Sequence, residues 1–141
     1  MKKESIMNRK HFYIIAGIFI LALAGCSIKK EDTKKIQDIE FTVVAPEDVP
    51  EELKEDIEKA RDTPFRLTYA DQGYLYMARG YGEKEKTGYS VEVNACYETS
   101  DAIRIQTTLF GPAKGEKTKE KKTYPYVVMK TEYREKDVIF E

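Results

Sequence analysis

Few side chains in this sequence are equipped for covalent or acid–base chemistry. There is one histidine, His11, and there are two cysteines, Cys26 and Cys96. Cys26 stands where a short apolar run gives way to a charged one, and His11 lies before that run. From residue 26 onward there is no histidine, so imidazole bases, His-dependent triads and ordinary zinc sites are not expected there. With Cys26 committed elsewhere, Cys96 has no intrachain disulfide partner, and a lone thiol without a neighbouring base is expected to be inert. Carboxylates are plentiful, but no pair stands apart from the solvated charge, and no acidic loop repeats at calcium spacing. The expectation is a protein that is not an enzyme, with no catalytic residue, no metal and no dissociable cofactor.

The start of the chain sets the rest of the organisation. Lys2, Lys3, Arg9 and Lys10, against Glu4 alone, precede the apolar run Phe12 to Ala24. Basic residues before such a run hold the N-terminus on the cytoplasmic side. Thirteen apolar residues are too few for a spanning helix, which needs about 20. Leu23-Ala24-Gly25-Cys26 closes the run and resembles the lipobox of bacterial lipoproteins. There, lipid is joined to the cysteine sulfur and a signal peptidase cuts before it. By that resemblance residues 1–25 are a signal peptide, cleavage falls between Gly25 and Cys26, and Cys26 carries diacylglycerol, with or without a further N-acyl chain. Membrane lipid held through Cys26 is then the first partner. The expected location is the extracytoplasmic face of a bacterial membrane or envelope. Each buried methylene contributes about 0.8 kcal/mol, so two or more chains make a stable anchor.

Residues 26–141 hold 20 basic and 24 acidic side chains, which disfavours a nucleic-acid partner. Residues 26–38 form a lipidated cysteine and a charged tether, and 39–141 a single β-rich domain. Ile39 to Val44 is β-branched and alternating, a first strand. Pro50 to Arg61 reads as an amphipathic helix, with Val49, Leu53, Ile57 and Ala60 on one stripe and acids in the first turn. Strands follow at Phe65–Ala70 and Tyr74–Arg79, the second apolar on both faces and therefore central. Gly88 to Tyr97 alternates, with Tyr89, Val91, Val93, Ala95 and Tyr97 facing in and Cys96 on the polar phase. Ala102–Phe110, Tyr124–Tyr133 and Val138–Phe140 complete the set. The lysine-rich 111–122 segment reads as a solvated loop. The fold class is α+β: mainly antiparallel β-sheet, a sandwich or a single curved sheet, with one amphipathic helix.

Two blocks carry a further resemblance: Lys86-Thr87-Gly88-Tyr89-Ser90-Val91-Glu92-Val93 and Thr123-Tyr124-Pro125-Tyr126-Val127-Val128-Met129-Lys130. Their types and spacing resemble the C-terminal domain of PrcB, a lipoprotein subunit of a bacterial surface protease complex, over about residues 75–141. The family often has Thr-Gly-Gly-Tyr where this chain has Thr87-Gly88-Tyr89. The resemblance implies a non-catalytic, protein-binding accessory subunit with an envelope protein or protease as partner, and makes Thr87, Gly88, Tyr89, Pro125 and Tyr126 the candidate contact residues. A second resemblance is to chagasin-type peptidase inhibitors. It rests on the order of three segments, Thr87-Gly88-Tyr89, Gly111-Pro112-Ala113-Lys114-Gly115 and Pro125-Tyr126, and implies three inhibitory loops at one end of a sandwich.

Overall fold

The computed structural model describes residues 33–141. Gly25, Cys26 and the expected signal segment 1–25 lie outside them. Eight strands form: β1 (Gln37–Asp38), β2 (Thr42–Val43), β3 (Pro64–Asp71), β4 (Tyr74–Tyr81), β5 (Ser90–Glu98), β6 (Ala102–Phe110), β7 (Tyr126–Glu132) and β8 (Asp137–Phe140). The α-helix among the described residues, α1 (Glu51–Ala60), stands between β2 and β3.

The strands divide into two four-stranded sheets, ordered β1-β5-β6-β8 and β2-β7-β4-β3. All pairings are antiparallel except β6–β8, which is parallel. Between the sheets lies one core, built from Leu75, Met77, Val127 and Met129 of one sheet and Cys96, Ile103 and Ile105 of the other, with Ile39 joining it. The architecture is thus a sandwich rather than one curved sheet.

A third layer is the helix. Val49, Leu53 and Ile57 pack on Phe65, Tyr76, Ala78 and Val128, the outer face of the second sheet. The stripe predicted from spacing is therefore the buried one. Glu51 and Glu52 sit in the first turn, where the helix dipole favours negative charge, and Pro50 caps rather than opens the helix. The Tyr69 hydroxyl donates to the Glu52 carboxylate, tying β3 to the helix. That bond to a negative partner pushes the Tyr69 pKa up to about 12.

This layering explains β4. Leu75 and Met77 fill the inter-sheet core while Tyr76 and Ala78 face the helix, so both faces are apolar. Gly80 continues the helix-side face directly opposite Phe65, whose ring lies over it and would collide with a β-carbon there.

Two expectations are corrected. Ile39–Val44 is not one strand. Gln37 and Asp38 pair with β5 in the first sheet, and Thr42 and Val43 pair with β7 in the second. The segment between them crosses from sheet to sheet, with Ile39 buried and Phe41 packed on the inter-sheet core. Cys96 is not on a polar face. A β-bulge between Val93 and Ala95 inserts Asn94 and flips the phase, as an extra unpaired residue must. Cys96 is then 4% exposed and inside the core.

Candidate functional site

The candidate residues sit on two long connections, 82–89 between β4 and β5 and 111–125 between β6 and β7. Gly80 pairs with Tyr126 and Ser90 with Phe110, so all four strand ends lie at one pole and both connections emerge there. The two are sewn together. Lys84 N–H donates to Thr123 O at 2.8 Å and Thr123 N–H to Lys84 O at 2.9 Å. Thr87 N–H donates to Lys119 O at 3.0 Å, and the Lys119 N–H returns to Thr87 Oγ1 at 2.9 Å. The Thr123 hydroxyl donates to Lys86 O at 2.8 Å. Hydrogen bonds of this number give a loop pair a defined shape that its polar sequence alone would not provide.

Gly88 sits at the tightest point. Its φ is +105°, and a β-carbon there would lie 2.8 Å from Pro112 Cγ and 3.0 Å from Pro112 Cβ. Glycine is thus required both for the backbone angle and for the approach of Pro112. The Tyr89 ring lies beside Gly111, and the Lys84 ammonium stands 5.9 Å from its centroid. Gly88 and Tyr89 therefore meet the Gly111-Pro112 segment, and Thr87 meets Lys119 further along the same connection.

Pro125 and Tyr126 do not join that contact. Pro125 accepts the Tyr81 N–H at 3.1 Å, continuing the β4–β7 ladder one pair beyond its end. Tyr126 packs on the helix side, 6.5 Å ring to ring from Phe65. Burial, then the nearby Glu58 carboxylate, raises its pKa.

Several members of the pole carry no sequence signal. The Arg61 guanidinium lies 4.0 Å over the Tyr124 ring at the end of the helix. Glu83 receives Lys122 at 3.4 Å and donates its N–H to Asp62 O at 3.1 Å. The hydroxyls of Tyr81 and Thr107 bond to each other across the two sheets. What the sequence does make readable is the pair of loop boundaries: Gly82 and Gly88 on one side, Gly111-Pro112 and Pro125 on the other.

This pole presents the half-buried rings of Tyr89, Tyr124 and Tyr126 and a rim of exposed Lys114, Lys117, Lys119, Lys121 and Lys122. Cys96 lies in the inter-sheet core, and burial pushes its thiol up to about 11, away from the reactive thiolate. Among the described residues no group of His, Cys, Asp and Glu is arranged to hold a metal ion. None of their helices is long and apolar enough to cross a membrane.

At the opposite pole lies an open depression of about 840 Å³ under the crossing segment, lined by Ile39–Thr42, Tyr74 and Lys130 among others. The Lys130 ammonium stands 4.1 Å over the Tyr74 ring there. Beside it Glu98 gathers Lys136 at 2.7 Å, Arg134 at 3.6 Å and Gln37 at 2.8 Å. These bonds tie the β5–β6 turn, the β7–β8 connection and the entering chain together.

Both stitched loops sit inside a recognisable segment: residues 75–132 match the family model described as PrcB C-terminal. That segment is similar to the PrcB C-terminal domain. The match runs from the second residue of β4 to the last of β7, two strands of each sheet and both sewn loops. The helix, β3 and β8 of this structure lie outside it. Among curated proteins and solved structures, none matches the chain.

Proposed function

We propose that the protein is a lipid-anchored, non-catalytic subunit on the extracytoplasmic face of a bacterial membrane, binding an envelope protease or its complex. The observation that carries this reading is the PrcB C-terminal match, which encloses β4 to β7 and both stitched loops. The lipobox-like Leu23-Ala24-Gly25-Cys26 supports the anchor, with diacylglycerol on Cys26 as its chemistry. The polarity of the domain supports the geometry. The chain enters beside Glu98, where Gln37 pairs, and the sewn loops emerge at the other end of β5. Ile36, Gln37 and Asp38 pair with β5, so the tether is shortened to about nine residues, which reach roughly 30 Å when extended, and the loop pole is the one free to meet a partner.

The test has two arms. Mass spectrometry of the native protein is expected to find an acylated Cys26 as the first residue, and an intact Met1 with a bare thiol at 26 would overturn the anchor. Crosslinking in membranes followed by mild extraction is expected to recover one discrete protein partner. A clean monomer would overturn the subunit reading.

One observation favours a second reading. Gly88 and Tyr89 meet Gly111-Pro112 at one end of a two-sheet sandwich, which brings together two of the three segments of the chagasin-like order. In that reading the pole enters a peptidase cleft. Titration against a papain-type enzyme decides it: inhibition at micromolar protein supports it, and none disposes of it.

A further inference from the structure

The second sheet ends in a long edge guarded only by Pro64 at its start and the charge of Arg66. Soluble proteins protect sheet edges with short strands, inward charges, prolines or bulges. The edge strands β1 and β2 have two residues each and β8 has four. β3 instead offers eight, in unbroken register with β4 from Pro64↔Tyr81 to Asp71↔Tyr74. Its one proline is its first residue.

The ladder settles which groups face out. Tyr81 N–H donates to Pro125 O and Tyr133 N–H to Gly73 O, so odd-numbered residues of β4 turn their backbone to β7 and even-numbered ones to β3. Phe65, Leu67, Tyr69 and Asp71 therefore bond to β4, and Arg66, Thr68 and Ala70 turn N–H and C=O away from the sheet. All three are exposed, and among the described residues no backbone group meets them.

The same edge carries a charge defect. Arg66 is directly opposite Arg79, at a non-hydrogen-bonded position where side chains stand closest. Like charges so placed destabilise a sheet. Among the described residues neither guanidinium has a carboxylate partner. Arg79 donates Nη1 to Phe65 O at 3.5 Å and to Gly80 O, lies 4.2 Å over the Tyr81 ring, and has a buried Nε with no hydrogen-bond partner.

We propose that the β3 edge binds an extended acidic segment of a partner polypeptide by strand addition. The added main chain completes the ladder at Arg66, Thr68 and Ala70, and the carboxylate opposite Arg66 faces the Arg66–Arg79 pair. The β3 edge of a second copy supplies no such group. Two-fold pairing centred on Thr68 sets Arg66 against Ala70, and pairing centred on Arg66 sets it against itself. β3 lies outside the PrcB C-terminal match, so this surface stands or falls separately from the protease reading.

The probe is an alternating Val-Glu octapeptide, with Val-Gln and Val-Lys octapeptides as controls, added to the full chain in detergent micelles. Amide exchange is read by NMR. The expected result is slowed exchange at Arg66, Thr68 and Ala70 with the Val-Glu peptide, at least tenfold weaker binding of Val-Gln, and none of Val-Lys. Arg66→Glu is expected to reverse the preference. Thr68→Pro, which removes an N–H that the β3–β4 ladder does not use, is expected to abolish binding while leaving the fold's amide spectrum intact. No slowing with Val-Glu, equal slowing with all three peptides, or concentration-dependent slowing without peptide would each overturn the proposal, the last in favour of a homodimer.

Discussion

Gly88→Ala tests whether the stitched pole is held by the backbone or merely decorated by it. A φ of +105° lies where L side chains rarely go, and holding alanine there costs about 1–3 kcal/mol. The new methyl group would also press on Pro112 Cγ at 2.8 Å. Overpacking typically costs about 1–3 kcal/mol, and the lower end applies because Pro112 sits on a loop able to yield. The expected loss is therefore about 2–4 kcal/mol. For a domain of this size that corresponds to a fall in Tm of roughly 8–16 °C. Urea and thermal melts of the full chain, followed by tyrosine fluorescence and far-UV circular dichroism, read it directly. The double variant Gly88→Ala/Pro112→Ala separates the two causes: it should recover the contact share, about 1 kcal/mol, and leave the backbone share. Gly88→Ala within about 0.5 kcal/mol of the parent, a change typical of neutral surface sites, would refute the reasoning. So would complete recovery in the double variant.

Three further outcomes are expected. Leu53 is 0% exposed between helix and sheet, so Leu53→Ala should lower stability by about 2–5 kcal/mol in urea melts, and a loss under about 1 kcal/mol would mean the helix is not packed as described. A thiol reagent at pH 8 should leave Cys96 unmodified until urea unfolds the chain, as read by peptide mass spectrometry; fast labelling at Cys96 in the native protein would contradict its burial. The Glu98 carboxylate is held below its usual range, chiefly by hydrogen bonds from Lys136 and then Gln37. Its folded pKa is the lower one, so its contribution is complete above the unfolded value of about 4.3 and is lost as pH falls below it. Urea midpoints from pH 7 to pH 3 should therefore fall less steeply for Glu98→Gln than for the parent, and identical slopes would count against the clasp.

The sequence makes plain whatever depends on neighbours along the chain. Val49, Leu53 and Ile57 mark the helix face at helical spacing, and the double-faced apolar pattern of Leu75–Ala78 marks a central strand, which β4 is. Whatever depends on distant partners is hidden. Ile39–Val44 alternates like a strand, but its two ends answer to β5 and β7, which belong to different sheets. The bulge at Asn94 leaves no mark, because Ala95 and Tyr97 continue the apolar alternation that Cys96 then replaces in the core. At the stitched pole, Thr87, Gly88 and Tyr89 stand out because glycine punctuates a loop. Order along the chain groups Pro125-Tyr126 with them, and only the ladder register shows Tyr126 turned toward the helix.

The narrow strap from Gln37 to Val43 has a mechanical consequence. Any pull arriving through the residues before Thr33 loads this strap first. Ile36 N–H to Glu98 O, the two pairs of β1 and Ile39 N–H to Cys96 O bear it in succession. They lie along a sheet border and would give way one by one, like a zip. Ile39 would then be drawn from between the sheets while the long β5–β6 and β4–β7 ladders stay whole. Tension on the leash would thus open the end nearest its attachment and leave the far loops undisturbed.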